Sequence, residues 1–249
     1  MAMVIFSALF FRHLAPSYTR DPGSSSDVSS IQDPVNKSSN MVCSKASRIQ
    51  LKPRLVSHYP SGARIIVTLT SETYQAPPIW YRWFKTPLPE SLVLDSPALL
   101  LGASSNSRAS WCFPGSEGHF AVHLSEPTLI TKIILQAPQG FSPEKRRFFP
   151  RTVQIWGLID GRENMEKVRN LSLLQGAHRN QAPLPGFRPS LLLTETTYNF
   201  HTENEGFDTP SLFRELSLSF KMLVAMIRSN WGESDYTCIH RFEVYGLPS

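Results

Sequence analysis

The chain of 249 residues has few cysteines, few charges and no long hydrophobic run, and each shortage excludes a class of protein. Its 3 cysteines cannot build a disulfide scaffold, and none stands in a Cys-x-x-Cys pair, which argues against a structural zinc site. Charged residues make up 18%, below the usual fraction of about a quarter, so most of the chain is not a disordered polyelectrolyte. The net charge of +5 is modest and gives no reason to expect nucleic-acid binding. What is present is 41% hydrophobic and 11% aromatic residues, enough for one packed core, with 20 prolines that disfavour long helices.

The N-terminal part of the sequence differs in composition from the rest. Residues 1–14 form a short hydrophobic leader, too short for the roughly 20 residues that span a bilayer and without the basic start of a signal peptide. It is interpreted either as a signal-like or truncated membrane segment or as a leader without function. Residues 15–54 are rich in Ser, Asp, Asn and Pro, which predicts a disordered linker, and residues 55–249 are predicted to form the folded domain.

The folded part is predicted to be all-β, a jelly-roll-like β-sandwich. Short runs rich in β-branched and aromatic residues alternate with turn residues, as in sandwiches and barrels. The predicted strands are residues 64–69, 119–124, 129–135, 152–157, 223–228 and 241–246. Helix candidates are few, and residues 164–169 and 212–216 are expected to make a turn or two each.

No catalytic constellation emerges from the sequence, so a non-enzymatic protein is expected. His119 and His123 would share one face of a strand, but at well over about 10 Å apart they could not hold one metal ion. The sequence contains no phosphate-binding loop and no dinucleotide fingerprint. Two glycosylation sequons begin at Asn36 and Asn170; they permit a luminal location without proving one.

Four segments, in order, resemble those of one family. Residues 227–246 contain Ser-Asn-Trp-Gly, then Tyr-Thr-Cys, then Arg-Phe-Glu-Val-Tyr-Gly, and this resembles the closing signature of SUN domains. Residues 59–74 are similar to the first segment of the domain, especially to its sequence in fungal members. Residues 111–124 resemble the family's C-W-x-F-x-G-S-x-G segment and its following strand, and residues 142–158 resemble the next conserved segment. The resemblance covers about residues 55–249.

The resemblance implies a protein of the nuclear envelope. SUN domains lie in the perinuclear space, are anchored in the inner nuclear membrane, are usually trimeric, and bind the C-terminal tail of a KASH-type protein of the outer nuclear membrane. This bridges the nucleus to the cytoskeleton. In such binding an extended peptide lies beside a sheet edge while its terminal carboxylate enters a polar pocket. The partner expected for this chain is therefore a KASH-type peptide, with membrane attachment only through an N-terminal segment.

The resemblance also assigns roles to residues of the closing signature. Tyr236 falls on a tyrosine that helps to line the pocket for the peptide terminus. His240 stands where animal members often carry a second pocket tyrosine; it could donate a hydrogen bond to a carboxylate, or it could be an ordinary solvent-facing strand residue. Cys238 matches a cysteine that the family often pairs with one just before the tryptophan. Here that position is Ser110 and the cysteine is Cys112, about 7 Å further along a strand, so a bridge is expected to need a bulge or local rearrangement.

The expected peptide-covering lid corresponds to residues 68–89. Its aromatic residues are suited to packing a peptide or a neighbouring subunit, with plain core packing as the alternative, and they are Tyr74, Trp80, Tyr81, Trp83 and Phe84. Some animal members have a cysteine, crosslinked to the KASH peptide, where this chain has Thr70, so no covalent link is expected.

The remaining expectations concern cofactors and departures from the family. No cofactor is expected except a structural monovalent cation, whose loop maps to Leu101 to Ser110 without assignable ligands. The coiled coil that usually precedes the domain has no counterpart here, which leaves the trimer an implication of the family alone. The stretch 176–211 is longer than the family spacing and has no assigned role. The alternative function is a glycan-binding or glycoprotein-folding module of the endoplasmic reticulum lumen.

Overall fold

The computed structural model describes residues 52–76, 93–104, 106, 108–137, 141, 146–175, 184–187, 189–198 and 206–248, with 93 and 171–175 as backbone only. These residues all belong to one compact unit, Ile49–Ser249. The leader 1–14 and nearly all of the linker 15–54 lie outside the described residues, so the predictions made for them stay predictions.

The described chain consists mainly of strands, joined by two helices and short 3₁₀ turns. The 3₁₀ turns are Tyr59–Ser61, Val67–Leu69 and Pro97–Leu101. The strands are β1 Arg54–Leu55, β2 Arg64–Ile65, β3 Val93–Leu94, β4 Ala109–Pro114, β5 Gly118–Gln136, β6 Pro150–Leu158, β7 Ser190–Thr197, β8 Gly206–Asp208, β9 Phe220–Asn230, β10 Tyr236–Ile239 and β11 Arg241–Pro248; the helices are α1 Arg162–Gln175 and α2 Ser211–Glu215.

Two sheets form the sandwich. The main sheet has the order β1-β11-β5-β9-β6-β7, with β2 and β8 also paired to β5, and the small sheet has the order β10-β4-β3. All pairings are antiparallel except β3 with β4. The predicted all-β, jelly-roll-like class is confirmed.

The main core lies between the sheets because strand side chains alternate between two faces. Trp111 and Phe113 of β4 are fully buried and point to the main sheet, where Phe120 of β5 meets Trp111 edge-on at a ring-centroid distance of 5.9 Å. Residues at every second position of β9, such as Leu223 and Ala225, face the same core.

The opposite face of the main sheet carries a smaller apolar cluster around Trp156. Phe187 and Leu184 cover it from the stretch 176–211, which also supplies edge strand β7 and the short strand β8. The described part of this stretch therefore extends and covers the main sheet.

Three predictions from the sequence gave the wrong lengths for strands or helices. The predicted strand 64–69 ends at Ile65 and continues as a 3₁₀ turn, because the Thr70 hydroxyl donates to the Ile66 carbonyl at 2.8 Å and bends the backbone. The predicted strands 119–124 and 129–135 are one strand, β5, of 19 residues. Helix α1 has 14 residues instead of a turn or two. Within the described part of the chain, α1 and α2 are each too short or too polar to cross a bilayer.

Candidate functional site

The residues singled out from the sequence converge on the outer face of the small sheet. Alternation along β4 and β10 turns Cys112, Tyr236 and Cys238 away from the main core, into a separate buried cluster. Tyr74 and Phe148 cover this face from two other segments of the chain. We call this group, with Phe141, the aromatic cluster.

A disulfide joins Cys112 to Cys238 inside the aromatic cluster. The two residues are direct partners in the β4–β10 register, with Cα atoms 4.0 Å apart, and the register around them is regular. The expected pairing is therefore confirmed, and the expected bulge is wrong. No bulge is needed because Cys112 and Cys238 lie directly opposite each other across the two strands.

Tyr236 lies at the centre of the cluster. Its ring centroid is 5.1 Å from that of Tyr74 and 5.9 Å from that of Phe148, and its side chain is 1% exposed. Burial, followed by the negative charge of Glu233, raises the pKa of the Tyr236 phenol far above its ordinary value. The phenol therefore stays protonated at every physiological pH and remains a hydrogen-bond donor.

The Ser-Asn-Trp-Gly signature forms a turn organised by the amide of Asn230. Its Nδ2 donates to the Glu233 carbonyl at 2.6 Å and to the Thr237 hydroxyl at 2.9 Å, while its Oδ1 accepts from the Gly232 amide at 2.9 Å. Gly232 has φ +109°, a conformation that side chains disfavour. Asn230 and Gly232 of the Ser-Asn-Trp-Gly signature are thus structural requirements of the turn that leads into Tyr236.

Further contacts tie the turn to its neighbours. Thr237 donates to the Gly115 carbonyl at 2.7 Å, and the Trp231 amide donates to the Arg147 carbonyl at 3.0 Å. The guanidinium of Arg151 lies over the Trp231 ring at 5.0 Å. The turn is consequently fixed to both the β4–β5 connection and the segment before β6.

His240 is buried, so its interpretation as a solvent-facing strand residue is wrong. Its ring is held by a 2.6 Å hydrogen bond between Nδ1 and the Ala109 carbonyl, and its side chain is 5% exposed. Since a carbonyl can only accept, Nδ1 carries the proton. Burial lowers the pKa of His240, which leaves Nε2 unprotonated and suited to accept a hydrogen bond rather than to donate one to a carboxylate.

The segment 66–74 bridges the edges of the two sheets. Its backbone bonds to β5 through Ala121 and His119 and then reaches β4, where the Tyr74 amide donates to the Cys112 carbonyl at 2.7 Å. The Trp111 indole donates to the Thr73 hydroxyl at 3.1 Å. Thr70 itself is occupied, since its hydroxyl donates to Ile66 and accepts from the Ala121 amide.

An open groove of ≈ 470 Å³ lies beside this segment. Its lining is mainly apolar and includes Val67, which is 74% exposed, with Arg64 and Glu72 as the charged residues. We call it the Thr70 groove; its lining is Tyr59, Arg64, Ile65, Val67, Thr70, Ser71, Glu72, Thr73, Ser96, Pro97, Ala98 and Leu101. An apolar groove with a few polar groups is the usual form of a peptide or ligand site.

Several predicted site residues lie outside the described residues, namely Trp80, Tyr81, Trp83 and Phe84 of the lid. The expected cation loop, Leu101 to Ser110, is described except at positions 105 and 107. The Ala109 and Ser110 carbonyls already accept hydrogen bonds, from His240 and from the Asp95 amide. Among the described residues, no group of three His, Cys, Asp or Glu side chains is placed to hold a metal ion.

Sequence reasoning missed the partners that build the site. It assigned no role to Asn230, although Asn is a residue that favours turns and a glycine follows two positions later. It also missed Phe141 and Phe148, whose rings meet edge-on at 5.5 Å beside Tyr236. No local signal could have placed these two rings, because their position depends on how distant segments fold together.

Comparisons with known proteins agree with the signature. A family model described as Sad1 / UNC-like C-terminal matches residues 186–248, which include the whole signature turn and β10. SUN domain-containing protein 3 of Mus musculus is 25% identical over 196 residues, covering 76% of this chain and 51% of the relative. SUN domain-containing protein 1 of Homo sapiens is 26% identical over 188 residues, covering 75% of this chain and 21% of the relative. The chain thus spans about half or less of the length of these relatives.

Solved structures with a similar arrangement of strands have low sequence identity. The family 32 carbohydrate-binding module from C. perfringens NanJ, in complex with galactose, has a TM-score of 0.40 and 12% identity, covering 61% of this chain and 85% of that chain. Allantoicase from Saccharomyces cerevisiae has a TM-score of 0.45 and 13% identity, covering 78% of this chain and 43% of that chain. With TM-scores below 0.5, these likenesses support no functional conclusion.

The family model and the curated relatives both point to the same domain, and the closing signature folds as one connected unit. Residues 186–248 thus match the Sad1 / UNC-like C-terminal family, and about three quarters of the chain is similar to SUN domain-containing proteins.

Proposed function

We propose that residues 55–249 are a non-enzymatic, peptide-binding SUN domain of the nuclear envelope that binds the C-terminal tail of a KASH-type protein. The observation that carries this proposal is the closing signature, which lies within the Sad1 / UNC-like C-terminal match and helps to build the buried aromatic cluster on the outer face of the small sheet. As a homotrimer facing the perinuclear space, the domain would link the nuclear envelope to the cytoskeleton.

The Thr70 groove supports peptide binding. It lies at the start of the segment assigned to the lid, its lining is mainly apolar, and Arg64 offers a positive charge within it. An extended tail could place apolar side chains in the groove, where burial contributes about 25 cal/mol per Å² of apolar surface. Tyr236, which is 1% exposed, supports this groove indirectly through its ring contact with Tyr74, the residue after Thr73.

The disulfide supports a luminal location. Cys112–Cys238 is fully buried in the fold, and structural disulfides persist in oxidising compartments such as the endoplasmic reticulum lumen. The perinuclear space is continuous with that lumen. A monovalent cation in the loop Leu101 to Ser110 is the only cofactor that this function includes.

The direct test is titration of the disulfide-bonded protein with a fluorescent KASH-type tail peptide, followed by anisotropy. We expect saturable binding of the peptide with a free terminal carboxylate and weaker binding of its C-terminal amide. Absence of binding by the free-acid peptide at high micromolar concentration, with the protein folded, would contradict the proposal.

Two matched variants locate the binding surface. Val67→Asp places a charge in the Thr70 groove at an exposed position, and we expect about tenfold weaker binding, equivalent to about 1.4 kcal/mol. Met165→Asp changes another exposed apolar residue, 45% exposed on α1, and should leave binding unchanged. Equal effects of both variants would show that the groove is not the site.

A second matched pair tests Tyr236 without removing its ring. Tyr236→Phe deletes only the buried phenol oxygen, and Tyr245→Phe deletes one that donates to Glu243 at 3.0 Å on β11. If the Tyr236 phenol reaches the peptide carboxylate, only the first variant weakens binding. Unchanged binding by Tyr236→Phe would restrict this residue to support of the surface.

A further inference from the structure

We propose that Asn170 carries an N-linked glycan on the outer face of α1. The inference rests on the proposed luminal location, because the transferring enzyme works only in that compartment, and it adds a modification site to the domain. The acceptor sequence is Asn-Leu-Ser at residues 170–172.

The geometry of α1 places Asn170 away from the body of the domain. Val168 packs against the main core, and Asn164 and Lys167 donate to the Ser219 and Ser217 carbonyls at 2.9 and 3.1 Å. With 3.6 residues per turn, Asn170 lies about 200° around the helix from Val168. Asn170 is accordingly exposed, as are its neighbour Arg169 and the preceding-turn residue Glu166.

The reaction requires the Asn-x-Ser/Thr acceptor sequence with an accessible side-chain amide, and a lipid-linked donor. Nδ2 of Asn170 would attack the anomeric carbon of an oligosaccharide held on a polyprenyl diphosphate. The new C–N bond forms as the anomeric C–O bond breaks, the polyprenyl diphosphate leaves, and the amide loses one proton to a base of the transferase. An exposed position lets the glycan remain on the folded domain without displacing core residues.

The position also leaves the signature end of the main sheet free. Ser219 and Phe220, beside α1, lie at one end of β9, and Asn230 of the signature turn lies at the other. At 3.3 Å per residue, the two ends are about 30 Å apart. A glycan on α1 would thus shield the helix without covering the aromatic cluster.

The test is expression of the full chain in eukaryotic cells with a C-terminal tag that carries its own acceptor sequon. Glycosidase digestion followed by electrophoresis counts the glycans, and peptide mass spectrometry identifies Asn170 converted to Asp by enzymatic deglycosylation. We expect Asn170→Gln and Ser172→Ala each to lose one mobility step, while Ser172→Thr, which keeps the sequon, retains it. Asn36→Gln controls for the other sequon.

The outcomes separate the two proposals. A glycosylated tag without an Asn170-dependent step overturns the glycan at Asn170 and leaves the luminal domain standing. A mobility step that is lost only in Asn36→Gln likewise overturns the glycan at Asn170 and leaves the luminal domain standing. A chain in which neither the tag nor Asn170 is glycosylated contradicts both the modification and the luminal function.

Discussion

The two ends of strand β9 are held by different kinds of contact. At the signature end, the buried residue Asn230 makes several hydrogen bonds, and the Cys112–Cys238 disulfide joins the neighbouring strands β4 and β10. At the helix end, α1 is attached by Val168 and by hydrogen bonds from Asn164 and Lys167 that are partly open to solvent. Buried polar contacts need particular side chains, whereas exposed contacts tolerate many. This is why the signature end is recognisable as a motif and the helix end is not.

The largest expected effect comes from removing the disulfide. Cys112→Ala with Cys238→Ala opens a loop with a sequence separation of 126, and we expect a loss of about 3–5 kcal/mol in the free energy of unfolding. Urea denaturation measures it, and reductant added to the wild-type protein should reproduce it. Cys43→Ala is the control and should have no effect. A loss below about 1 kcal/mol would mean that the disulfide does not dominate the signature end.

The same residue type can be compared at both ends. Asn230→Ala leaves the Gly232 amide and the carbonyl of Glu233 without their buried partner, and we expect a loss of about 2–3 kcal/mol. Asn164→Ala removes hydrogen bonds to the Asp160 and Ser219 carbonyls at a partly exposed position, where about 1 kcal/mol is expected. Chemical denaturation of both variants provides the measurement. Equal losses would remove the distinction between the ends.

A pH-dependent contribution is expected at the signature end. Burial lowers the pKa of His240 below its ordinary 6.5, so as pH falls below about 6.5 the unfolded chain binds more protons than the folded one. Stability should therefore fall with decreasing pH in that range, by at most about 1.4 kcal/mol per pH unit for one histidine. His240→Asn retains a donor but does not titrate, and should reduce the slope measured by denaturation at several pH values. Burial also lowers the pKa of His119, so part of the pH dependence should remain in this variant. An unchanged slope in His240→Asn would show that His240 does not contribute to the pH dependence.

The smallest effect is expected on the exposed side of α1. Glu163 pairs with Lys167 at 2.7 Å and Glu166 with Arg162 at 3.5 Å, all on one helix. The Lys167 hydrogen bond lowers the pKa of Glu163, but solvent screens such pairs. Glu163→Gln with Glu166→Gln should leave the thermal unfolding midpoint unchanged within error. A clear drop in that midpoint would show that ion pairs hold α1 in place.

The sequence predicted well what local patterns determine. The alternating runs indicated strands on a two-layer fold, and the family resemblance singled out Tyr236, Cys112 and Cys238, which lie together in the aromatic cluster. The sandwich followed from these patterns because side-chain alternation and turn residues are local properties.

The predictions that were wrong or incomplete concerned features that depend on strand register or on contacts between distant parts of the chain. The strand expected over residues 64–69 ended early because the Thr70 hydroxyl bonds back to Ile66. His240 could be placed in the interior only once Ala109 was known to face it. The gathering of Tyr74 and Phe148 around Tyr236 likewise depends on segments far apart in the chain.

The pairing of β1 with β11 has a consequence for the order of folding. Arg54 lies opposite Gly246, and the Ser57 hydroxyl both donates to the Phe242 carbonyl and accepts from the Val244 amide. Strand β1, the first described strand, can therefore pair only after β11, the last one, has been synthesised. Strand β5 also pairs with β11. During synthesis, the main sheet would stay incomplete until residue 248 has left the ribosome. Non-local pairing of this kind slows folding, so the nascent domain should depend on chaperones for longer than a helical domain of equal length.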